Sequence, residues 1–328
     1  KPIQPDKLLE AIRKEFSRPR HDGTEFYRGE SDKAREMYRR ISLVAPSDIS
    51  VLIRGASGTG KEHIALELHE QSRRRNRPYI TLDCGSLPED LAASELFGHR
   101  KGAFTGAESD KVGLLQEADG GTLFLDEIGN LSYKSQMLLL RALQEKCYRP
   151  VGSTRERGFD IRLIAATNEN LEEAIAGGRF REDLFHRLNE FTIRVPLLSE
   201  CPEDILPLAR FLLGHLMKEH HKRVQGFDRL AEAALRRYPW PGNIRELRNA
   251  LRSALLLTDG DWITATSLNL DLTLKQEEVP SLTEEEKERL LLLQTLEQTG
   301  NNRSKTAKLL NMSRTTLYEK LRKYGIIC

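Results

Sequence analysis

The sequence predicts an α/β fold with a parallel sheet, followed by a small helical bundle and a separate all-helical module at the C-terminus. Three observations support this prediction. Short β-branched runs alternate with helical patterns over the first two hundred residues, which is typical of a parallel sheet wrapped by helices. The strand-like runs stop after Pro196, and the last 28 residues carry a different charge from the rest of the chain.

The elements follow in a regular order. Five runs are typical of buried strands: ISVLIRG, YITLDC, GTLFLDEI, IRLIAATN and FTIRVPLL. Helical stretches such as KSQMLLLRALQEK lie between them, and three further helices are predicted at CPEDILPLARFLLGHLMKEH, DRLAEAALRRY and NIRELRNALRSALLL. The weakly periodic stretch 260–281 suits a linker. The next helix, TEEEKERLLLLQTLEQ, opens with Thr283 as N-cap and Glu286 three residues later.

Composition excludes several classes of protein. A chain of 328 residues with 39% hydrophobic and 30% charged residues is typical of a soluble protein with two or three domains. It has no apolar run long enough to span a membrane, no signal-peptide core and no initial Met. We therefore expect a cytoplasmic protein without a membrane partner, and a fragment of a longer one. The four scattered cysteines predict reduced thiols, and the histidine spacing predicts no structural metal.

The net charge of +2 is unevenly distributed. From Asn301 to Cys328 there are seven Lys or Arg and one acid, Glu319, so this stretch carries 7 − 1 = +6 and residues 1–300 carry 2 − 6 = −4. A basic terminal module on an acidic body indicates a nucleic-acid contact at one end of the chain.

The run GASGTGK follows a predicted strand and opens a predicted helix, so it matches a phosphate-binding loop. Glycines let backbone N–H groups approach phosphate oxygens, and the lysine supplies charge to the β- and γ-phosphates. The alternative is a chance glycine-rich turn. The predicted ATP-binding residues are Gly55, Ala56, Ser57, Gly58, Thr59, Gly60, Lys61 and Glu62, the last standing where Ser or Thr would help to hold Mg²⁺.

The run GTLFLDEIG places two acids at the carboxyl end of a strand, where ligands of parallel sheets bind. Asp126 is predicted to hold Mg²⁺, directly or through water, and Glu127 to polarise the attacking water. Asn168, which ends IAATN, is placed to orient the same water. Phosphoryl transfer depends on positioning and charge stabilisation, so these few groups with Lys61 can suffice. Solvated strand-end acids are the alternative.

Together these motifs resemble the AAA+ domain of bacterial sigma-54-dependent transcription activators of the NtrC type. GASGTGKE is similar to that family's phosphate loop, in which Glu usually follows the lysine, and GAFTGA matches its most distinctive motif completely. The resemblance implies that this loop, a flexible segment carrying one aromatic residue, contacts the sigma-54 subunit of RNA polymerase. Its residues are Gly102, Ala103, Phe104, Thr105, Gly106 and Ala107.

The resemblance also implies residues that act between subunits and from the helical lid. GRFREDLFHRLNEF resembles the segment with the family's arginine fingers, and Arg181 and Arg187 match those positions. Arginine fingers act on a neighbouring protomer's γ-phosphate, so a ring, a hexamer by analogy, is expected. PGNIRELRN resembles the second sensor, with Arg245 reaching the nucleotide. Ordinary surface or ion-paired arginines are the alternative at all three positions.

The segment NNRSKTAKLLNMSRTTLYEKLRKYGI resembles a Fis-type helix-turn-helix. A helix is predicted from Arg303 to Leu310, a turn at NMS and a second helix capped by Ser313, with Ala307, Leu310, Leu317 and Leu321 facing the core. The predicted DNA-binding residues are Arg303, Ser313, Arg314, Thr315, Thr316, Tyr318, Arg322 and Lys323; a basic solvated helix is the alternative.

The resemblance divides the chain into five parts. These are a receiver-domain remnant and linker helix (1–25), the α/β ATPase core (26–198), the helical lid (199–259), a linker (260–281) and the helix-turn-helix (282–328). KPIQPDKLLEAI resembles the end of a receiver domain, which implies a response regulator. Asp83 stands where the family commonly has an Asn that bonds the catalytic Glu, so a second carboxylate close to Glu127 is expected to raise one of the two pKa values. Cys201 stands where Arg is frequent.

The predicted function is an ATP-hydrolysing activator. It binds enhancer DNA as dimers, assembles into a ring and uses its GAFTGA loop to remodel the closed complex of sigma-54 RNA polymerase. Two alternatives remain: a DNA-binding regulator whose ATPase has decayed, and a nucleic-acid-stimulated motor such as a helicase loader. The complete set of site residues opposes the first, and the complete GAFTGA run opposes the second. The DNA target, the regulon and the upstream signal are not determined by the sequence.

Overall fold

The computed structural model describes residues 26–104, 106–270, 303, 306, 312 and 314–323. The chain divides into two units, Lys1–Leu272 and Thr273–Cys328, and each is described by itself.

A five-stranded parallel sheet forms the centre of the first unit. Its strands are β1 (Val51–Arg54), β2 (Tyr79–Asp83), β3 (Thr122–Asp126), β6 (Arg162–Thr167) and β7 (Phe191–Arg194). In the sheet they follow the order β2-β3-β6-β1-β7. A separate antiparallel pair is formed by β4 (Cys147–Tyr148) and β5 (Arg157–Gly158). All five predicted strands and the α/β fold class are thus confirmed.

Both faces of the sheet are covered, which explains the nearly continuous apolar runs of its strands. Alternate residues of one strand enter different cores: in β3, Leu123 and Leu125 belong to one cluster and Phe124 to the other. The helices that surround the sheet are α1 (Asp32–Val44), α2 (Lys61–Glu70), α3 (Glu89–Phe97), α4 (Leu114–Glu117), α5 (Tyr133–Glu145), α6 (Leu171–Ala176) and α7 (Glu182–Leu188).

A helical subdomain, here called the lid, follows β7. Its helices are α8 (Pro202–Glu219), α9 (Arg229–Arg237), α10 (Asn243–Leu257) and the short α11 (Ala265–Leu268), together with the strands β8 (Gly226–Phe227) and β9 (Trp262–Ile263). The three longer helices are confirmed. The core of the lid contains Trp240, whose indole N–H donates to the carbonyl of Leu235 at 2.9 Å.

The predicted linker 260–281 is wrong for its first residues. Strand β9 pairs in parallel with β8, and Ile263 and Leu268 are buried in the core of the lid. Short pairings of this kind give no period in the sequence, because each strand has only two residues. The lid therefore extends through α11.

Asp204 in the first turn of α8 fixes the chain that leads into α1. Its buried carboxylate accepts hydrogen bonds from the backbone N–H of Glu30 (2.6 Å) and Ser31 (3.1 Å) and from the Ser31 hydroxyl (2.6 Å). Tyr27 donates a longer bond of 3.4 Å. The lid is thus bonded directly to the segment that precedes the sheet.

In the second unit, helix α12 (Arg314–Lys323) matches the predicted second helix of the helix-turn-helix. Leu317 and Leu321, one turn apart, are 0% exposed, as predicted. Ala307, Leu310, Thr283 and Glu286 lie outside the described residues, as does 1–25. Across the part of the chain that is described, no helix is long and apolar enough to cross a bilayer.

Candidate functional site

The glycine-rich loop joins β1 to α2 at the carboxyl edge of the sheet. Gly58 and Gly60 have φ values of +77° and +90°, a region that glycine adopts without strain. The Thr59 hydroxyl donates to the Ala56 carbonyl at 2.9 Å and closes the turn. The loop therefore has the strand-loop-helix geometry of a phosphate site, and all eight predicted residues, from Gly55 to Glu62, lie on it or on the first turn of α2.

Lys61 is buried at the start of α2, with 6% of its surface exposed. Its ammonium group donates to the Gly55 carbonyl at 3.1 Å and lies 3.5 Å from Oε1 of Glu127. Glu127 has a left-handed backbone (φ +49°), which is uncommon for a residue other than glycine. This turn at the end of β3 directs its carboxylate towards the loop. A charged pair thus lies beside the glycine-rich loop.

Asp126 and Asn168 lie beside this pair. One oxygen of Asp126 accepts the backbone N–H of Glu127 at 2.9 Å. Burial raises the pKa of Asp126, and the charges of Glu127 and Asp83 add to the effect. The Asn168 backbone N–H donates to Oε2 of Glu127 at 3.4 Å, and its side chain is exposed. The structure thus brings together the four predicted residues Lys61, Asp126, Glu127 and Asn168.

Asp83 makes a different contact from the one expected with Glu127. Its Oδ1 accepts the Gly85 backbone N–H at 2.9 Å and caps the short 3₁₀ turn Cys84–Ser86. Across the sheet it is paired in register with Asp126. Burial is the main cause of the raised pKa of Asp126, and the charge of Asp83 adds the smallest contribution.

Arg245 reaches the phosphate loop of its own chain from α10. Its guanidinium donates to the Ser57 hydroxyl at 2.8 Å, and its backbone N–H donates to the Gly58 carbonyl at 3.3 Å. A cavity of about 670 Å³ opens beside Ser57 and Arg245. A Cβ added to Gly58 would overlap the carbonyl oxygen of Gly242, so the lid and the loop are in close backbone contact.

Arg181 and Arg187 are engaged with acids close to them in sequence. Arg181 forms two bonds with Asp183, at 2.7 and 3.0 Å, and its guanidinium carbon lies 5.2 Å from the centre of the Tyr133 ring. Arg187 donates to Glu190 at 3.3 Å. Both therefore lie on the α7 segment, and each has an intrachain carboxylate partner.

The GAFTGA segment lies at the tip of a loop whose two arms are joined at His99 and Lys111. Each backbone N–H of this pair donates to the other's carbonyl, at 3.1 and 2.8 Å. A Cβ on Gly98 or Gly113 would overlap the opposite arm, so the base of the loop requires glycine.

The tip of this loop is open. Gly102 and Gly106 have φ values of +81° and +100°, and a Cβ on either would meet nothing within 4 Å. Phe104 is 37% exposed and has its ring centre 4.9 Å from that of His99. Thr105 lies outside the described residues. The tip thus presents an aromatic ring on a backbone with room to move.

A second loop supports the first from behind. The backbone N–H of Arg100 donates to the Val151 carbonyl at 3.0 Å, and that of Val151 donates to Gly98 at 2.9 Å. Gly152 packs so closely on Ala103 that a Cβ would overlap it. Ala107, the last residue of the motif, is buried.

In the second unit, the exposed residues on the predicted DNA-binding surface are Arg303, Thr315 and Arg322, and Thr316 is half-buried. Ser313 and the side chains of Arg314, Tyr318 and Lys323 lie outside the described residues.

Sequence reasoning missed several residues near the site. Asn243 bonds the phosphate loop, and Asp204 fixes the segment before the sheet. The rings of Phe26 and His63 lie 3.6 Å apart between their centres, near the start of α2. Asn243 stands two residues before Arg245 in PGNIRELRN, which is the only sequence signal that could have indicated it.

Comparison with protein-family models gives three consecutive matches. The sigma-54 interaction domain matches residues 27–194, the AAA+ ATPase lid domain matches 199–285, and the bacterial regulatory protein, Fis family, matches 283–324.

Individual relatives agree with this succession. Transcriptional regulatory protein ZraR of Klebsiella oxytoca is 48% identical over 301 residues, which cover 89% of this chain and 68% of ZraR. Transcriptional regulatory protein GlrR of Escherichia coli is 39% identical over 332 residues, 99% of this chain and 75% of GlrR. The crystal structure of NtrX from Brucella abortus with ADP has a TM-score of 0.71 at 32% identity, and covers 99% of this chain and 77% of NtrX.

Proposed function

We propose a mechanism for this chain, which belongs to the family of sigma-54-dependent transcriptional activators. It is an ATP hydrolase with an AAA+ lid and a Fis-type DNA-binding module, so the predicted family, fold class and enzyme activity are confirmed. Its partners are sigma-54 RNA polymerase and DNA. We propose the domain division given above, with the lid extended through α11.

ATP binds at the loop Gly55–Gly60, whose N–H groups contact the phosphates while Lys61 neutralises their charge. Support comes from the positive φ values of Gly58 and Gly60 and from the buried ammonium of Lys61. NtrX, a structural relative, was crystallised with ADP and with ATP. Arg245 contacts the nucleotide from the lid.

The carboxylate of Asp126 is a hard oxygen donor at the strand end, and only one of its oxygens accepts a hydrogen bond from the described chain. It therefore fits Mg²⁺, which when bound would supply positive charge that neutralises the phosphates. Glu127 takes the position of the group that polarises the attacking water, and Asn168 helps to orient it. The observation that carries the proposal is the convergence of Lys61, Glu127 and Asn168 beside the loop.

Arg181 and Arg187 complete the site of a neighbouring protomer in a ring, with a hexamer as the proposed state. Within one chain both guanidiniums are bonded to local carboxylates, Asp183 and Glu190. A trans role requires each to exchange that partner for a phosphate. Since the exchange needs a second protomer, specific ATPase activity should rise with protein concentration.

The GAFTGA loop is the output of the cycle. Phe104 supplies apolar contact to sigma-54 and Thr105 a hydroxyl, while Gly102 and Gly106 allow the tip to rise and retract. The exposed ring of Phe104 and the open space around both glycines support this role. The helix-turn-helix holds dimers on enhancer DNA through the basic residues predicted above.

The test is transcription in vitro from a sigma-54 promoter, with ATP or a non-hydrolysable analogue. Thr105→Ala should retain most ATPase activity and lose open-complex formation. Ser109→Ala, an exposed hydroxyl on the same loop outside the motif, is the matched control and should remain active. Promoter opening without hydrolysable ATP, or normal opening by Thr105→Ala, would refute the proposed mechanism.

A further inference from the structure

Asn243 is a buried amide at the point where three segments meet. It is 1% exposed, begins α10 and has a φ of +52°. Its amide nitrogen donates to the carbonyls of Ser57 (3.1 Å) and Pro241 (3.4 Å). Its amide oxygen accepts the backbone N–H of Leu198 at 3.0 Å. One side chain thus bonds the phosphate loop, the crossover from β7 to the lid, and the turn before α10.

These partners require an amide at this position. A carbonyl on one side needs a donor and an N–H on the other side needs an acceptor, and a carboxylate or an apolar side chain cannot supply both. Asn is also among the few residues that tolerate the left-handed backbone. The contact is therefore a specific set of hydrogen bonds between segments, which packing of an apolar side chain could not replace.

The direction of the Ser57 carbonyl depends on the orientation of a peptide group in the phosphate loop. It belongs to the same planar peptide as the N–H of Gly58, so a rotation that turns this N–H towards a phosphate also turns the carbonyl. Because the carbonyl is bonded to a buried amide, leaving either group unpaired is unfavourable. The lid and Leu198 should follow the peptide rather than separate from it.

We propose that Asn243 is a positioning residue that makes the lid and the β7 crossover move with the phosphate loop when nucleotide binds. The proposal rests on the proposed nucleotide site and adds a mechanical connection to it. In the proposed site Arg245 contacts the nucleotide from the lid and donates to the Ser57 hydroxyl. Asn243 instead binds the backbone carbonyl of the same residue.

The experiment compares Asn243→Asp and Asn243→Ala with the full chain. Asn243→Asp keeps an acceptor for Leu198 and removes both donors. His221→Ala is the matched control, since His221 also lies in the lid with a left-handed φ of +51° but is exposed. We measure binding of ADP, KM and kcat for ATP, and hydrogen exchange of the Leu198 and Arg245 amides with and without ADP.

In the full chain, ADP should slow exchange at both amides together. In both Asn243 variants KM should rise about tenfold, as expected for the loss of one well-made buried bond, and the response at Leu198 should disappear. His221→Ala should behave as the full chain. If Asn243 had a purely structural role, its replacement would lower stability, but ADP would still slow hydrogen exchange at both the Leu198 and the Arg245 amide.

Each outcome decides one point. Failure of the full chain to bind ADP refutes the proposed nucleotide site. The role of Asn243 alone is overturned if the full chain binds ADP normally while the Asn243 variants keep an unchanged KM and ADP still slows exchange at both amides. If the variants do not fold, the full chain alone provides the test. Slowing of hydrogen exchange by ADP at the Arg245 amide but not at the Leu198 amide overturns the proposal, and equal slowing at both supports it.

Discussion

Gly58→Ala tests whether the phosphate loop and the lid are in direct backbone contact. The left-handed φ costs an alanine about 1–2 kcal/mol. The added Cβ would also overlap the carbonyl of Gly242 and force the lid away. The separation would break the bonds of Ser57 with Asn243 and Arg245 and the bond from Arg245 to the Gly58 carbonyl, each worth about 1 kcal/mol. The expected loss of unfolding free energy is therefore about 4–5 kcal/mol.

Gly60→Ala is the control, because it has the same strain without the overlap. Gly60 has a φ of +90°, and its nearest potential neighbour, Cδ1 of Ile244, lies at an ordinary 3.7 Å. We expect a loss of only about 1–2 kcal/mol. Both proteins are unfolded in urea without nucleotide, so phosphate contacts do not contribute.

Tryptophan fluorescence is the assay, because both tryptophans of the chain, Trp240 and Trp262, lie in the lid. The transition of Gly58→Ala should move to lower urea than that of Gly60→Ala by the equivalent of about 3 kcal/mol, the sum of the three bonds. Equal transitions for the two variants would refute the inferred contact between loop and lid.

Two further predictions concern charge. Burial lowers the pKa of His63 from 6.5 to about 4, although the charge of Glu67 opposes the shift. As pH falls between these two values, the unfolded chain therefore binds a proton that the folded chain does not. Stability should fall by about 2 kcal/mol from pH 8 to pH 5, and urea unfolding of His63→Leu should lack that loss; an equal loss would contradict it. Asp183→Asn should release Arg181 for the neighbouring protomer, lowering the protein concentration of half-maximal specific ATPase activity by up to about fivefold. Glu182→Gln is its control, and the same concentration for both variants would argue against the exchange.

The sequence was sufficient to predict the sheet and the strand-loop-helix geometry of the glycine-rich loop, because both are local patterns. Strand β3 is a continuous apolar run that ends in acids, and a parallel strand places such an end at the ligand edge. The position of Lys61 at the start of α2 could be predicted for the same reason, since strand, glycine loop and helix are consecutive.

The contacts that hold the lid could not be predicted in this way. Asn243 and Ser57 are 186 residues apart, and Asp204 and Ser31 are 173 apart. A sequence pattern indicates that a residue is buried, but it does not identify the partner that a polar group finds there. The two-residue strands β8 and β9 were missed for the same reason, because their pairing is long-range and their length is too short for a period.

In the proposed mechanism, the carboxylate of Glu127 is connected to the GAFTGA loop through a short series of packed segments. A Cβ on Gly85 would be in ordinary van der Waals contact with the Cβ of Glu127, at 3.8 Å, and Asp83 accepts the Gly85 N–H. Helix α3 begins three residues after this 3₁₀ turn, buries Leu96 and Phe97 in the core and ends where the loop begins. Since a short packed helix moves as a rigid body, a shift of Glu127 on loss of the γ-phosphate would reach the base of the loop through a single element. In the proposed mechanism, the backbone bonds that join both loop arms and Val151 would then transmit the shift to the tip of the loop.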